Sequence, residues 1–124
     1  MIKISFALIA VVAAQLVLVP SVSRADDHKG LSKIKLLLID GQNNHDWKRC
    51  SPVMIDTLNA TGRFSIDRAT IAKEDIADFK PDFSKYEVVL SNYNGEPWLQ
   101  ETQDSFVKYI KKGGNLVVVH ASDN

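Results

Sequence analysis

Three short stretches of polar and aromatic residues are the places in this sequence where chemistry could occur. They are residues 40–47 (DGQNNHDW), 91–98 (SNYNGEPW) and 120–124 (HASDN). Each stretch follows an apolar run that is typical of a buried strand. Ligands of open parallel sheets bind at the carboxyl ends of the strands. We therefore expect the three stretches to meet at one edge of a sheet and to form a site there.

Two histidines and two carboxylates in these stretches are the predicted catalytic residues. His45 and His120 are acid–base candidates, since imidazole gains and loses a proton near neutral pH. Asp46 and Glu96 would orient a histidine or act beside it. Structural alternatives remain open for all four. His45 would cap a helix, His120 would be a buried histidine bonded to a backbone carbonyl, and each carboxylate would begin a helix.

The remaining polar and aromatic side chains of the three stretches are predicted to bind a substrate. Trp47 and Trp98 would stack on a sugar ring, or would simply pack the loops. Asn and Asp are also common in turns, where they hydrogen-bond their own backbone. The predicted binding residues are Asp40, Asn43, Asn44, Trp47, Asn92, Tyr93, Asn94, Trp98 and Asp123.

The cofactor is not defined by the sequence. His45, His120 and a carboxylate are residue types that permit a divalent metal, but their positions on separate loops form no ligand motif. Three histidines and one cysteine exclude a zinc-finger site. Cys50 precedes a predicted helix but does not lie in a strand-to-helix elbow, so we assign it no catalytic role.

The elements that would position these residues alternate between strand and helix. Apolar runs predict buried strands at residues 34–39, 87–91 and 116–120, and the alternating residues 64–69 predict a strand near a sheet edge. One helix would begin with Ser51 as its cap and Pro52 in its first turn, and would end at Gly62.

A second helix is predicted over residues 99–112, ended by two glycines. The charged residues 71–86 are predicted to form a loop with at most one helical turn. This order predicts an α/β fold with a parallel sheet and right-handed crossovers.

The N-terminus is typical of a cleaved export signal. Residues 1–25 contain Lys3, an apolar run over residues 4–19, and Ser23-Arg24-Ala25 before the expected cleavage point. An uncleaved membrane anchor is the alternative. We predict a signal at 1–25, a leader at 26–33 and one domain at 34–124, in an exported protein that is periplasmic or extracellular and has no stable membrane insertion after cleavage.

Charge and chain length narrow the classes of partner. Loss of Lys3 and Arg24 lowers the basic count from 15 to 13, against 15 acidic residues. With no basic stripe present, we predict no nucleic-acid partner. Because the chain stops directly after a core strand, we expect an incomplete portion of a larger domain. A small natural four-strand domain, or a homo-oligomer that covers the open edge, is the alternative.

The same stretches carry a family resemblance. Residues 39–47, 91–98 and 113–121 together resemble the motifs of the ThuA-like (trehalose utilisation) family, over about residues 34–124. The resemblance implies a three-layer, flavodoxin-like fold similar to class I glutamine amidotransferases. It also implies a small carbohydrate partner, either trehalose-like glycosides or their 3-keto forms. Amidotransferases place a catalytic cysteine where this chain has His120-Ala121-Ser122, so glutaminase chemistry is not expected.

Three readings of function follow from the residues and the resemblance. The leading one is an exported sugar-processing protein in which His45 and His120 are acid–base groups or metal ligands. The second is a non-catalytic carbohydrate-binding module that uses the same loops. The third is a truncated product without a function of its own. The sequence leaves open whether the protein is an enzyme.

Overall fold

The computed structural model describes residues 32–123 of the 124. The predicted signal and nearly all of the predicted leader lie outside this range. The described part contains four strands, two α-helices and three short 3-10 turns. The strands are β1 Ile34–Asp40, β2 Phe64–Thr70, β3 Val88–Ser91 and β4 Asn115–Val118. The helices are α1 Trp47–Ala60 and α2 Gln100–Lys111, and the 3-10 turns are Lys73–Asp75, Phe83–Lys85 and His120–Asp123.

The four strands form one parallel sheet in the order β2-β1-β3-β4. The predicted α/β fold with a parallel sheet is therefore confirmed. β1 lies inside the sheet, and the alternating strand β2 lies at its edge, as its pattern predicts. The chain moves from β1 to one side of the sheet and then returns to the other side, so the strand order reverses between β1 and β3. In doubly wound sheets this point of reversal is where ligands bind.

The core has two halves, one on each face of the sheet, which gives three layers. On one face, Leu36, Leu38 and Leu90 pack against residues of α1 that include Met54 and Leu58. On the other face, the alternate residues of β1 and β3 meet an aromatic group. That second half comprises Leu37, Ile39, Ile71, Phe79, Phe83, Val89, Tyr93 and Tyr109. β1 is apolar on both sides because both of its faces are covered.

The predicted start of the first helix is wrong. α1 begins at Trp47 and its cap is Asp46, whose side chain accepts a hydrogen bond from the Arg49 N–H. Pro52 lies inside the helix and Ser51 is fully buried. Pro52 is the sixth residue of α1, beyond the first four residues whose N–H groups have no intrahelical acceptor, so the helix continues through the proline without a hydrogen bond from its nitrogen. The Ser-Pro pair predicts a cap at Ser51, which is five residues after the observed cap at Asp46.

The segment between β2 and β3 is more than a charged loop. It forms two 3-10 turns rather than one at most, and it buries Phe79 and Phe83 in the core. Tyr109 of α2 packs on the same cluster, with its ring centroid 6.0 Å from that of Phe83. The aromatic residues, spaced four apart, anchor a segment whose other residues are mostly exposed.

β4 is an exposed strand rather than a buried one, which corrects the prediction for residues 116–120. Leu116, Val117 and Val118 are 42%, 47% and 39% exposed. Within the described residues β4 pairs only with β3, so no neighbouring strand or helix covers its outer side. The strand also ends at Val118, so His120 lies on the following 3-10 turn. In residues 32–123, no helix combines the length and apolarity needed to cross a bilayer.

Candidate functional site

The two histidines predicted from the sequence are in contact. The Nε2 atom of His45 lies 2.9 Å from the Nδ1 atom of His120, within hydrogen-bond distance, and the ring planes are 84° apart. One histidine follows β1 and the other follows β4, so the contact joins two loops at the carboxyl edge of the sheet. Both side chains are exposed. The pair is thus accessible to a ligand at the edge where parallel sheets bind ligands.

His120 has an unusual backbone conformation. Its φ of +46° makes it the sole residue other than glycine with a positive φ in the described chain. A β-carbon crowds the backbone in this left-handed region, and holding a residue there costs about 1–3 kcal/mol. The residue begins the turn that directly follows β4. The strained turn resembles the elbow that presents a catalytic side chain at the top of an α/β sheet.

Buried amide groups hold the loop that carries His45. The side chain of Asn92 is nearly fully buried, and its Nδ2 donates to Ser51 Oγ at 3.1 Å. Asn43 Nδ2 donates to the Oδ1 and the carbonyl oxygen of Asn92, at 3.2 and 3.1 Å. Asn43 Oδ1 in turn accepts the backbone N–H of His45 at 3.0 Å. Asn43 and Asn92, predicted to bind a substrate, therefore connect α1, β3 and the His45 loop through their own hydrogen bonds.

Gln42 and Tyr93 join the first loop to the second. Gln42 Nε2 donates to the Tyr93 hydroxyl at 3.1 Å, and that hydroxyl donates to the carbonyl oxygen of Glu96 at 2.8 Å. Gln42 Oε1 accepts the backbone N–H of Glu96 at 3.3 Å. Gly95 packs so closely on the Gln42 side chain that a β-carbon would overlap it. The two loops on either side of the β1–β3 reversal point are therefore held as one unit.

The two predicted catalytic carboxylates are engaged away from the histidine rings. Asp46 caps α1, as described above, and Glu96 forms an ion pair with Lys73 at 2.7 Å. The hydrogen bond and the charge of Lys73 lower the pKa of Glu96 below its ordinary value of 4.5. No hydrogen bond joins either carboxylate to a histidine within residues 32–123. The structure brings together the two histidines of the predicted four and leaves the acids apart.

Asp40, at the end of β1, is fully buried in an ion pair. Arg68 of β2 contacts Asp40 Oδ2 through Nε at 2.9 Å and through Nη2 at 2.7 Å. Thr70 donates its hydroxyl to Oδ1 at 2.7 Å. The guanidinium also lies 5.9 Å from the ring centroid of Trp47, on which the Lys48 ammonium packs at 5.6 Å. Both oxygens of Asp40 thus have protein partners, and Trp47 has cations over its ring.

The other predicted binding residues lie in different settings. Trp98 packs among aromatic rings, with centroid distances of 5.1 Å to Phe79 and 5.7 Å to Phe106. Asn44 is exposed, and the backbone N–H of Asn94 donates to the carbonyl oxygen of Gln42. The side chain of Asp123 lies outside the described part of the chain.

Sequence reasoning missed Ser51, Gln42 and Arg68, which hold the predicted residues in place. Ser51 was interpreted as a cap, and Gln42 and Arg68 had no signal of their own. Their roles depend on partners far away in the sequence, because Gln42 contacts Tyr93 and Arg68 contacts Asp40. In the strand register Asp40 lies opposite Thr70 and Arg68 lies opposite Leu38, and the alternation of residues 64–69 does not indicate this register.

Among the predicted site residues that the structure describes, His45 and His120 are the potential metal ligands that lie in contact with each other. Across residues 32–123, no group of three or more His, Cys, Asp or Glu side chains lies close enough to hold a metal ion. Protein zinc sites use at least three such ligands. The facing nitrogens of His45 and His120 instead stand at the distance of a shared hydrogen bond.

The fold and the site define a flavodoxin-like α/β protein with a histidine pair at its ligand edge. The chain is similar to the crystal structure of a ThuA-like protein from Parabacteroides merdae, with 41% identity and a TM-score of 0.72, covering 75% of this chain and 34% of that one. It also shares its fold with a ThuA-like protein from Bacteroides uniformis, with 23% identity and a TM-score of 0.53, covering 72% of this chain and 36% of that one. The chain belongs to the ThuA-like family.

The chain spans about a third of the length of these two relatives. No family model matches the chain, and no curated protein matches it either. The two solved structures confirm the family that residues 39–47, 91–98 and 113–121 indicate. The fold class implied by that resemblance is confirmed with it.

Proposed function

We propose that this chain belongs to an exported protein of carbohydrate utilisation that acts on trehalose-like glycosides in their 3-keto form. His45 and His120 would be its acid–base residues. The observation that carries the proposal is the 2.9 Å contact between the two rings, at the strand ends and on a strained turn. Membership of a family related to trehalose utilisation supports the substrate class.

Hydrogen-bond chemistry gives the pair one acid and one base. When two neutral imidazoles share a proton, the donor ring has a lone pair on its other nitrogen, and the acceptor ring has an N–H on its other nitrogen. Here the shared proton lies between His45 Nε2 and His120 Nδ1, so the outer atoms are His45 Nδ1 and His120 Nε2. One outer nitrogen accepts a proton and the other donates one, whichever ring donates the shared hydrogen.

A keto sugar would use both ends of such a pair. The basic nitrogen removes the proton from the carbon beside the carbonyl, and the acidic nitrogen protonates the carbonyl oxygen, which gives an enediol. Transfer of the shared proton between the rings then returns both histidines to the neutral form in the opposite tautomer. The proton count balances without a cofactor, and the pair is ready for the reverse step.

The test is deuterium exchange in the 124-residue chain. In heavy water, 3-keto-trehalose should lose its proton signal beside the carbonyl faster with the protein than without it. Trehalose, which has no carbonyl, should show no exchange. His45→Ala and His120→Ala should each lower the protein-dependent rate by about 100-fold or more, the usual contribution of a positioned acid or base.

His28→Ala is the matched control, because it removes the one histidine outside the pair. This variant should exchange at the wild-type rate. Binding of the keto sugar without exchange would contradict the acid–base role and favour the carbohydrate-binding module instead. Exchange that survives both histidine substitutions would contradict the assignment of these residues.

Export is part of the same proposal and is tested separately. Lys3, the apolar run over residues 4–19 and Ser23-Arg24-Ala25 support a signal that is cleaved before Asp26. We expect the mass of the protein recovered from a bacterial periplasm or medium to match a chain that begins at Asp26. A full-length chain in the membrane fraction would favour the anchor.

A further inference from the structure

The facing nitrogens of His45 and His120 have the spacing of two ligands on one metal ion. His45 Nε2 and His120 Nδ1 are 2.9 Å apart. Two nitrogens that each bind an ion at about 2.0–2.1 Å are separated by about 2.9 Å at a right angle and by about 3.3–3.4 Å at the tetrahedral angle. The observed distance therefore fits two adjacent ligands of a square-planar or octahedral ion, and it is too short for the tetrahedral geometry of zinc.

The two rings are inclined to the line that joins these nitrogens. Their centroids are only 4.5 Å apart. Rings that pointed straight at each other across 2.9 Å would have their centroids farther apart than this, because each centroid lies behind its nitrogen. Two ligands at a right angle on one ion require such an inclination, since each nitrogen then points at the ion and not at the other nitrogen.

Hydrogen bonds hold both histidine-bearing loops at the sheet edge before any ion binds. Asn43 Oδ1 accepts the backbone N–H of His45 at 3.0 Å. The Val119 N–H, directly before His120, donates to the carbonyl oxygen of Ser91 at 2.9 Å. Ligands that are already in place lose little freedom on binding, so less of the binding energy is lost.

The surroundings of the pair select the kind of ion. Both histidines are exposed, and residues 32–123 bring no third His, Cys, Asp or Glu ligand to them, so water would complete the coordination. Imidazole binds copper, nickel and zinc well, and Cu²⁺ is bound most tightly of the divalent first-row ions at a given site. Cu²⁺ also prefers a square-planar or tetragonal arrangement. It is therefore the ion that this pair favours.

Binding of an ion changes where the two rings carry their protons. A neutral imidazole has one proton, and both facing nitrogens must be free of protons to bind an ion. The ring that donates the shared proton therefore moves it to its outer nitrogen, which exchange with water allows because both rings are exposed. His45 Nδ1 and His120 Nε2 then both carry a proton, and none is released overall. The pair no longer has a basic nitrogen.

We propose that His45 Nε2 and His120 Nδ1 bind a Cu²⁺ ion as two adjacent ligands, with water molecules in the other positions. The ion replaces the shared proton, so the pair holds either the proton or the metal. The metal site depends only on the positions of the two nitrogens. The claim that a bound ion stops proton transfer rests on the proposed function.

Pulsed EPR of the 124-residue chain with one equivalent of Cu²⁺ counts the imidazoles bound to the ion. Cys50→Ser is present in every sample, because Cys50 is an exposed free thiol that would reduce Cu²⁺. We expect two bound imidazoles in this reference chain and one after His45→Ala or His120→Ala. Each of these substitutions should weaken Cu²⁺ binding by at least about tenfold, since even a group that only supports a ligand contributes this much.

His28→Ala is the matched control, because it removes the one histidine outside the pair. This variant should keep two bound imidazoles and the affinity of the reference chain. The metal site is overturned if the reference chain shows fewer than two bound imidazoles. It is also overturned if His45→Ala and His120→Ala bind Cu²⁺ as tightly as the reference chain does.

Ni²⁺ tests the link to the proposed function, because it shares the square-planar and tetragonal geometries of Cu²⁺ and is not reduced by a keto sugar. We expect deuterium exchange of 3-keto-trehalose to fall in proportion to the fraction of the pair that holds Ni²⁺. Exchange that continues at full occupancy would overturn this link and the acid–base role, but not the metal site. Exchange by a chain that binds no ion through two imidazoles would overturn the metal site alone.

Discussion

Asn92 is the residue on which the geometry of the site depends most. Its buried amide contacts Ser51 of α1 on one side and Asn43 of the first loop on the other. Asn43 then fixes the backbone of His45. A buried polar side chain that is hydrogen-bonded through both its nitrogen and its oxygen favours one arrangement of the chain around it.

Asn92→Ala should therefore cost about 1–3 kcal/mol in the free energy of unfolding, because Ser51 and Asn43 each lose a buried partner. It should also loosen the contact between His45 and His120. A destabilising substitution elsewhere in the core would not have this second effect. Urea unfolding measures the first effect, and histidine ring NMR shifts measure the second. Asn59→Ala, at an exposed position of α1, should stay within about 0.5 kcal/mol of the wild type.

The pH response of Glu96 reports whether this carboxylate is held by Lys73. The hydrogen bond and charge of Lys73 lower the pKa of Glu96 below 4.5 in the folded chain. A carboxylate with a lowered pKa stabilises the fold above its unfolded pKa, and this contribution is lost as the pH falls through the folded pKa. The effect on stability is small, because both side chains are exposed.

Lys73→Gln should raise the pKa of Glu96 back towards 4.5, which a carboxyl-carbon NMR titration would detect. Lys85→Gln is the control, since Lys85 lies 3.8 Å from Asp82 and has no contact with Glu96. If Lys73→Gln left the titration of Glu96 unchanged, the carboxylate would be free to face the histidines, as the sequence predicted.

At the scale of the elements, β1 and α2 were predictable and the start of α1 was not. The apolar run of β1 and the two glycines that end α2 are local signals that no distant residue alters. For α1, Asp46 and Ser51 both offered a cap, and the following proline favoured the wrong one. The buried partner of Ser51 is Asn92, which lies 41 residues away.

Asp46→Ala should destabilise the fold by about 1 kcal/mol, the usual cost of losing a helix cap. The reason is that the Arg49 N–H loses its side-chain acceptor at the first turn of α1. Thermal or urea unfolding would measure the change. Asp56→Ala, in the exposed middle of α1, should have almost no effect. Equal losses in the two variants would mean that the helix does not begin at Trp47.

At the scale of the whole molecule, the β4 edge of the sheet is apolar and is not covered by any other element of residues 32–123. β4 exposes Leu116, Val117 and Val118, and α2 exposes Val107 and Ile110 nearby in the chain. An exposed apolar edge strand is a site for pairing with another chain. The local sequence could not show this, because an apolar run looks the same whether or not a neighbour covers it.

Val117→Lys should reduce self-association of the 124-residue chain, which sedimentation velocity would measure. Val117 is 47% exposed and lies on the opposite face of β4 from Leu116 and Val118, so a lysine fits there without entering the core. Asn59→Lys adds the same charge on α1 and should leave the association of the wild type unchanged. A wild-type chain that is monomeric at all concentrations would contradict this account of the edge.

The position of the site was predictable, but the contacts within it were only partly so. Parallel topology alone brings the loops after β1, β3 and β4 to one edge, and the two histidines of those loops do meet. Asp40 is an example of a residue whose contacts the sequence does not predict. The chemistry of its side chain is compatible with a ligand, yet Arg68 and Thr70, 28 and 30 residues away, occupy both of its oxygens. Such pairings depend on strand register, which a residue pattern does not specify.

The shared proton between His45 and His120 is the central claim, and nitrogen–nitrogen coupling across a hydrogen bond tests it most directly. In the 124-residue chain with ¹⁵N-labelled histidine, we expect a coupling between Nε2 of His45 and Nδ1 of His120, atoms that lie 2.9 Å apart. His45→Ala should abolish the coupling and shift the ring signals of His120, while His28→Ala should change neither. The absence of a coupling, together with His120 signals that ignore the loss of His45, would contradict the histidine pair and the chemistry proposed for it.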